Sequence, residues 1–256
     1  MTQVQPMQSQ FTPAGSAKAI GDAPDQPRCA VITGAGGGIG RATAAALATR
    51  GMRLLLVGRD AERLRSAAAQ IGGDTAVLAA DLTEEAGIAA VAAATRPHLH
   101  LLVHSAGQYQ RGPVATLGAD AWRALDAINL HAPLLLTAAC LPQLRAAGGD
   151  VVFINSSAGM RAGAGLAAYA AGKHGLRAAV DALRQEVNGD GIRVLSIFPG
   201  RTATPMQDAV LAAEGRHADP DRLLRPDDVA QMLLAALALP RTAEVTDIVI
   251  RPMRPL

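Results

Sequence analysis

Tyr169 and Lys173 stand four residues apart in Tyr169-Ala-Ala-Gly-Lys173. On a helix that spacing stacks both side chains on one face. The same face continues as Leu176, Val180, Leu183 and Val187, an apolar stripe at helical period. A phenol and an ammonium therefore head the stripe that turns towards the core. Burying a lysine is costly unless it has partners or a task. Its positive charge favours the phenolate, so the pair predicts a tyrosine pKa drawn down towards neutral pH, suited to proton transfer. The structural alternative is a snorkelling lysine beside a half-buried tyrosine.

A second candidate lies near the start of the chain. Thr33-Gly34-Ala35-Gly36-Gly37-Gly38-Ile39-Gly40 follows an apolar run and opens a helical pattern. Glycines let a backbone turn tightly and approach a pyrophosphate, whose charge then sits at a helix N-terminus. The alternative is a flexible turn. The spacing Gly34-x-x-x-Gly38-x-Gly40 differs from Gly-x-Gly-x-x-Gly in every register. A third candidate is Asn129. Trp122, Leu125, Ile128 and Asn129 follow helical spacing, and Pro133 stands four residues later. Proline has no N–H, so the Asn129 carbonyl loses its helical partner and needs a water or a ligand. A simple proline kink is the alternative.

The elements that must position these groups are legible in outline. Short apolar runs occur at Cys29–Thr33, Arg53–Val57, Thr75–Ala79, His100–His104, Val151–Asn155, Arg193–Phe198 and Val245–Ile250. Helical stretches alternate with them. Arg41–Arg50 stops at Gly51. Ala61–Ile71 has Asp60 before it as a cap and Gly72 after it as a stop, and Arg225-Pro226-Asp227-Asp228 opens the last helix. Buried runs alternating with helices predict an α/β fold, a doubly wound parallel sheet with helices on both faces. In such sheets the site lies beyond the carboxyl ends of the strands. Residues 1–27, rich in Gln, Pro, Ala, Ser and Gly, read as a flexible N-terminal tail; residues 28–256 read as one domain.

Composition excludes several classes. Of 256 residues, 50% are apolar and 18% charged, enough for a sizeable core. Aromatics are 2%, so that core must be built from Ala, Leu, Val and Ile. A net charge of +2 without a basic run gives no argument for nucleic acid. Cys29 and Cys140, far apart in apolar surroundings, predict buried free thiols in a reducing compartment. His98 and His100 have no acidic or Cys partner at ligand spacing, so no metal is expected. No apolar run reaches bilayer length, Leu134–Leu141 being short, and no signal pattern opens the chain. A cytoplasmic protein is the expectation.

Thr-Gly-x-x-x-Gly-x-Gly near the start, Tyr-x-x-x-Lys later, and a serine thirteen residues before the tyrosine resemble the short-chain dehydrogenase/reductase family. The resemblance runs from about Cys29 to the C-terminus. It implies a single-domain Rossmann fold with a parallel sheet of about seven strands. It also implies a catalytic tetrad of Asn129, Ser156, Tyr169 and Lys173. In Ile154-Asn155-Ser156-Ser157 the spacing selects Ser156, whose hydroxyl would bond the substrate oxygen; a capping role suits Ser157 better. Tyr169 would exchange the proton, Lys173 would lower its pKa and hold the nicotinamide ribose, and Asn129 would anchor a relay water. Cofactor contacts carry over to Thr33, Gly34, Gly36, Gly38, Ile39 and Gly40, to Asp81 and Leu82, to Ser105-Ala106-Gly107, and to Pro199, Gly200, Thr202 and Thr204.

His104-Ser105 departs from the family's Asn-Asn, which puts some strand-to-strand stabilisation in doubt; His104 is expected to be packed. NAD-preferring members carry an acid where Gly58 stands, and Arg59 follows, so NADP(H) is preferred and NAD(H) possible, although Gly36-Gly37 holds no basic residue. The function implied is hydride transfer between NADP(H) and a small-molecule carbonyl or secondary alcohol. A non-redox enzyme such as an epimerase or lyase, or an NADP(H)-binding regulatory protein, is the alternative. Thr202, Met206, Val210 and Leu211, with Met160, Arg161, Gln108, Tyr109 and Arg111, are candidates for the substrate side. Family members commonly pair through the helices carrying Asn129 and Tyr169, so a homodimer or homotetramer is expected, with Ala170, Ala171, Ala178 and Ala182 permitting close packing.

Overall fold

A computed structural model describes residues 28–217 and 219–254. The expected tail, 1–27, lies outside the described residues. Seven strands follow in order: β1 (Cys29–Thr33), β2 (Arg53–Gly58), β3 (Thr75–Ala79), β4 (Leu101–His104), β5 (Asp150–Ile154), β6 (Arg193–Pro199) and β7 (Asp247–Ile250). They form one sheet in the order β3-β2-β1-β4-β5-β6-β7, and every pairing is parallel. The connecting helices are α1 (Gly38–Ala48), α2 (Ala61–Ile71), α3 (Glu85–Ala94), α4 (Ala119–Asp126), α5 (Ala132–Ala147), α6 (Ala167–Val187), α7 (Pro205–Ala213) and α8 (Pro226–Leu237).

Alternate strand residues serve two cores. Ala30, Ile32, Leu54 and Leu56 pack with Ala44 and Leu47 of α1, Leu64 of α2 and Leu233 of α8. Val31, Val57, Leu102, Val151 and Phe153 face the other way, onto Val91 of α3, Leu136 and Cys140 of α5, and Leu176 and Val180 of α6. Both faces of the central strands are therefore apolar, which is why they read as continuous runs. Each fully buried Leu, Ile or Val stabilises the fold by about 1.5–3 kcal/mol. Of the stripe on α6, Tyr169, Lys173, Leu176, Val180 and Val187 are buried and Leu183 half-buried. Ala170 is also buried within the subunit, so only Ala171, Ala178 and Ala182 remain exposed for packing on another copy.

Local signals act as expected at α2. The Asp60 carboxylate accepts the backbone N–H groups of Glu62 and Arg63, each at 3.0 Å, and Gly72 ends the helix with φ +70°. Helix α1 begins earlier than its apolar pattern predicts, at Gly38 instead of Arg41. It starts inside the glycine turn because Gly40 packs against it: a Cβ there would lie 2.5 Å from the Gly34 carbonyl oxygen. Cys140 is buried as expected, whereas Cys29 is only half-buried. Its Sγ donates to the His98 carbonyl at 2.8 Å.

The helix carrying Asn129 corrects the expectation that no apolar stretch reaches bilayer length. Residues Ala119–Ala147 run as one helical rod of 29 residues, long and apolar enough to cross a membrane by length and composition. In this fold Leu125, Ile128, Ala132, Leu136, Cys140 and Leu144 of the rod are buried, as in a core helix. Pro133 interrupts its hydrogen bonding. The chain responds with a π turn at Ala127–His131, in which the Ala132 N–H donates to the Ala127 carbonyl five residues back. Such turns relieve a missing donor without ending the helix.

Candidate active site

Strand order reverses between β1 and β4, so the loops leaving their carboxyl ends diverge and leave a crevice. A cleft of about 520 Å³ occupies it. One end is walled by Gly34, Gly36, Gly37, Gly38 and Ile39, by Gly58, Arg59 and Arg63, and by Leu82. The middle holds Ser105, Ala106, Gly107, Asn129, Ser156, Tyr169 and Lys173; the far end holds Tyr109, Leu166, Thr202, Met206, Gln207, Val210 and Glu214. Pro199, Gly200, Arg201 and Thr204 also face it.

Two of the turn glycines are required by close approach. Gly34 has φ +66°, and a Cβ there would meet the Ser105 carbonyl at 2.7 Å; Gly38 has φ +54°. The turn is thus pressed onto the loop after β4, with no side chain of its own between α1 and the cleft. Thr33 makes that joint. Its hydroxyl donates to the Val103 carbonyl at 3.3 Å and accepts the N–H groups of Ser105 and Ala106 at 3.0 and 3.1 Å. The stabilisation that Ser105 put in doubt is therefore supplied through its backbone.

Asn129, only 1% exposed, clamps the next part of that loop. Its Oδ1 accepts the Gln108 N–H at 3.1 Å and its Nδ2 donates to the Gln108 carbonyl at 2.8 Å. Asn155, missed in the sequence, does the corresponding work at the end of β5. Its Nδ2 donates to the Lys173 carbonyl at 3.1 Å and its Oδ1 accepts the Ser156 N–H at 2.8 Å. One amide thus fixes Ser156 relative to α6. The only sequence signal was a polar residue closing an apolar run. Ser156 also caps the short turn that follows, its Oγ accepting from Ala158 at 3.1 Å. The capping role expected of Ser157 belongs to Ser156, because the extended backbone of Ser156 aims its hydroxyl along the turn.

Tyr169 is 8% exposed and Lys173 4%. Lys173 Nζ lies 5.9 Å from the phenol ring centroid and donates to the Ile154 carbonyl at 3.3 Å. The expected lowering of the tyrosine pKa is not what this arrangement produces. Burial pushes the phenol up, a hydrogen bond from Ser156 partly offsets it, and Tyr109 adds to the rise. The lysine is itself desolvated, which lowers its pKa to about 8. Burial dominates both groups because the ammonium is turned to a backbone carbonyl. Tyr109 packs edge-on against Tyr169, ring centroids 5.2 Å apart.

An ionic cluster missed in the sequence closes the far end. Arg111, after β4, and Arg201, after β6, both reach Glu214 at the end of α7, at 2.9 and 2.8 Å. Glu214 is held below the usual carboxylate range chiefly by its hydrogen bond from Arg201. Of the substrate-side candidates, Leu211 is buried, and Met160 and Arg161 are exposed; none of the three faces the cleft. Thr33, Gly40 and Asp81 are also outside its walls. Thr33 and Gly40 hold the turn, and Asp81 Oδ1 accepts from the Thr83 N–H and hydroxyl at 2.9 and 2.7 Å. His104 is packed in the core, stacked on Phe153 at 4.7 Å, with burial lowering its pKa to about 3.

Comparison with known proteins agrees with this geometry. Residues 28–215 match the short chain dehydrogenase family. An uncharacterized oxidoreductase of Staphylococcus epidermidis is 30% identical over 230 residues, 88% of this chain and 97% of the relative. An alcohol dehydrogenase from the archaeon Thermococcus sibiricus, solved with 5-hydroxy-NADP, superimposes with a TM-score of 0.81 at 25% identity, covering 90% of this chain and 100% of that one. A metagenomic short-chain oxidoreductase solved with NADP gives 0.76 at 32% identity, over 89% and 97%. With its seven-stranded parallel sheet and a cleft at the strand-order reversal, the chain belongs to the short-chain dehydrogenase family of NAD(P)-dependent oxidoreductases.

Proposed function

We propose that this enzyme reduces a carbonyl to a secondary alcohol, or runs the reverse, with NADP(H) preferred and Tyr169 as the proton donor and acceptor. The observation that carries the reading is the convergence of Asn129, Ser156, Tyr169 and Lys173 on one cleft whose other end is a glycine turn. The turn fits a dinucleotide: its glycines carry no side chain into the cleft, and Gly34 approaches the loop after β4 too closely for a Cβ. The glycine turn and Gly107 would hold the phosphates and ribose, and Pro199, Gly200, Thr202 and Thr204 the nicotinamide end. When bound, the dihydronicotinamide supplies the hydride.

The chain's own residues do the rest. With its pKa raised by burial, Tyr169 carries its proton at neutral pH, as a donor to a carbonyl oxygen must. Ser156 supplies a hydroxyl to stabilise the negative charge developing on that oxygen. The Lys173 charge favours the phenolate left after transfer. Asn129 and Asn155 hold the loop and the serine in register. The preference for NADP(H) is supported by the end of β2. Gly58 offers no carboxylate to the adenosine ribose, Arg59 faces the cleft, and Asp60 is turned to cap α2.

The test is oxidation of NADPH, then NADH, across aldehydes, ketones, quinones and 3-oxoacyl thioesters, with Tyr169→Phe as control. Turnover favouring NADPH and lost in the variant is expected; tight binding of NADPH without turnover on any of these would overturn the catalytic reading. We further propose a homo-oligomeric cytoplasmic protein in which residues 28–256 are one catalytic domain; a monomeric mass by light scattering would contradict the first.

A further inference from the structure

The sequence has no basic residue in the glycine turn, yet the structure brings one there from elsewhere. Arg63, in the first turn of α2, lies along the turn: an ideal Cβ on Gly36 would sit 3.4 Å from Arg63 Cβ, and one on Gly37 would sit 3.8 Å from Arg63 Nη2. Its guanidinium is where a basic side chain at Gly37 would begin. Both Arg63 and Arg59 face the cleft. Among the described residues no acidic side chain pairs with Arg63, although arginines elsewhere are paired, as Arg53 is with Asp74. Asp60, which caps the same helix, is engaged with backbone N–H groups. Arg59 has no ion pair among the described residues, and the Asp81 carboxylate that it helps to stabilise is committed to Thr83.

Two guanidiniums that line one cleft, neither in an ion pair among the described residues, attract a compact dianion. We propose that Arg63 is a specificity-determining residue for the adenosine 2′-phosphate, replacing from α2 the basic side chain that the glycine turn lacks. Arg59 follows β2 and Arg63 stands one helical turn later in α2, so the same βα unit brings both guanidiniums to the cleft beside the glycine turn. This rests on the cofactor reading of the cleft above, and the test separates the two.

Calorimetric titration with adenosine 2′,5′-bisphosphate and with 5′-AMP isolates the 2′-phosphate without any turnover. The native enzyme should bind the bisphosphate much more tightly. Arg63→Gln should weaken the bisphosphate about tenfold and leave 5′-AMP within about twofold. Moving the charge back, in Arg63→Gln/Gly37→Arg, should restore most of the loss, since Gly37 has an extended backbone (φ 178°) that any residue adopts. An unchanged bisphosphate affinity in Arg63→Gln, or an equal loss for both nucleotides, would overturn the assignment while leaving the cofactor site intact. A native enzyme that binds neither nucleotide would overturn the cofactor reading itself.

Discussion

Strand β5 has a buried charge at each end, and the two are handled in opposite ways. At its amino end Asp150 is 3% exposed and is gripped by two arginines. Arg193 donates to its carboxylate at 2.8 and 3.3 Å, and Arg241 at 2.9 and 3.3 Å. Those arginines also bond the Leu237, Leu239 and Gly191 carbonyls, tying the end of α8 and the turn before β6 to the sheet. At its carboxyl end Lys173 Nζ donates to the Ile154 carbonyl and lies over the Tyr169 ring, with no counter-charge among the described residues. A buried charge surrounded by counter-charges and satisfied donors holds structure together. One left without a counter-charge costs stability, and so points to a site with another task.

The sharpest break of this comparison is Tyr169→Phe against Asp150→Ala. The first removes one oxygen from the cleft. Turnover should fall by about 10³-fold, within the range for loss of a general acid, while thermal unfolding stays within a few degrees. The second should do the reverse. Leaving Arg193 without its partner costs roughly 3 kcal/mol, the low end for a broken buried pair because Arg241 reaches solvent, or about 6–12 °C in Tm. Per-molecule turnover below that temperature should persist. If Asp150→Ala were as stable as the native protein, the amino-end staple would be no more than a surface ion pair.

Lys173→Met sharpens the same contrast with a smaller effect. Removing an uncompensated buried charge should leave stability equal or raised, even as turnover is lost. The pH dependence gives the sign. Lys173 has a folded pKa near 8, below its ordinary 10.5. Between those values the unfolded chain holds the extra proton, so stability rises with pH across that window. Below pH 8 the full cost of burial is present in the native protein. The advantage of Lys173→Met, read by urea unfolding at pH 7 and at pH 10, should therefore shrink at the higher pH. An advantage that stayed constant would mean the lysine is not desolvated as its burial implies.

The smallest effect is expected at Glu214, whose two arginines come from segments that also border the cleft. Glu214→Gln should loosen the end of α7 and the 108–118 segment together, with amide exchange several-fold faster in both and Tm nearly unchanged, as for a local opening. Faster exchange in α7 alone would show that Arg111 does not couple the two.

Much of this was legible along the chain. Apolar runs located all seven strands to within two residues; in the central strands this is because burial on both faces leaves little room for polar side chains, whereas the edge strands β3 and β7 are only half-buried. Asp60 and Gly72 bounded α2 through bonds made within three or four residues. The spacing of Tyr169 to Lys173 and the glycines of the turn are local facts that survive folding unchanged. Pro133 announced an irregular helix around Asn129, although its form, a π turn, was set by packing that keeps the rod continuous.

What the sequence alone determined is periodic or local: strand order in time, helix faces, caps, and the residues able to do acid–base chemistry. Only the tertiary structure decided which charges meet. Arg193 and Arg241 reach Asp150 across 43 and 91 positions, Arg111 reaches Glu214 across 103, and Arg63 lies over a turn that belongs to a different βα unit. It also decided the direction of the Tyr169 shift, since the lysine's charge was expected to lower a pKa that burial in fact raises. The physical reason is common to all of these. Spacing in sequence fixes which face of an element a residue occupies, whereas the sheet order and the depth of the cleft fix its distance from other charges and from water, which set its energy.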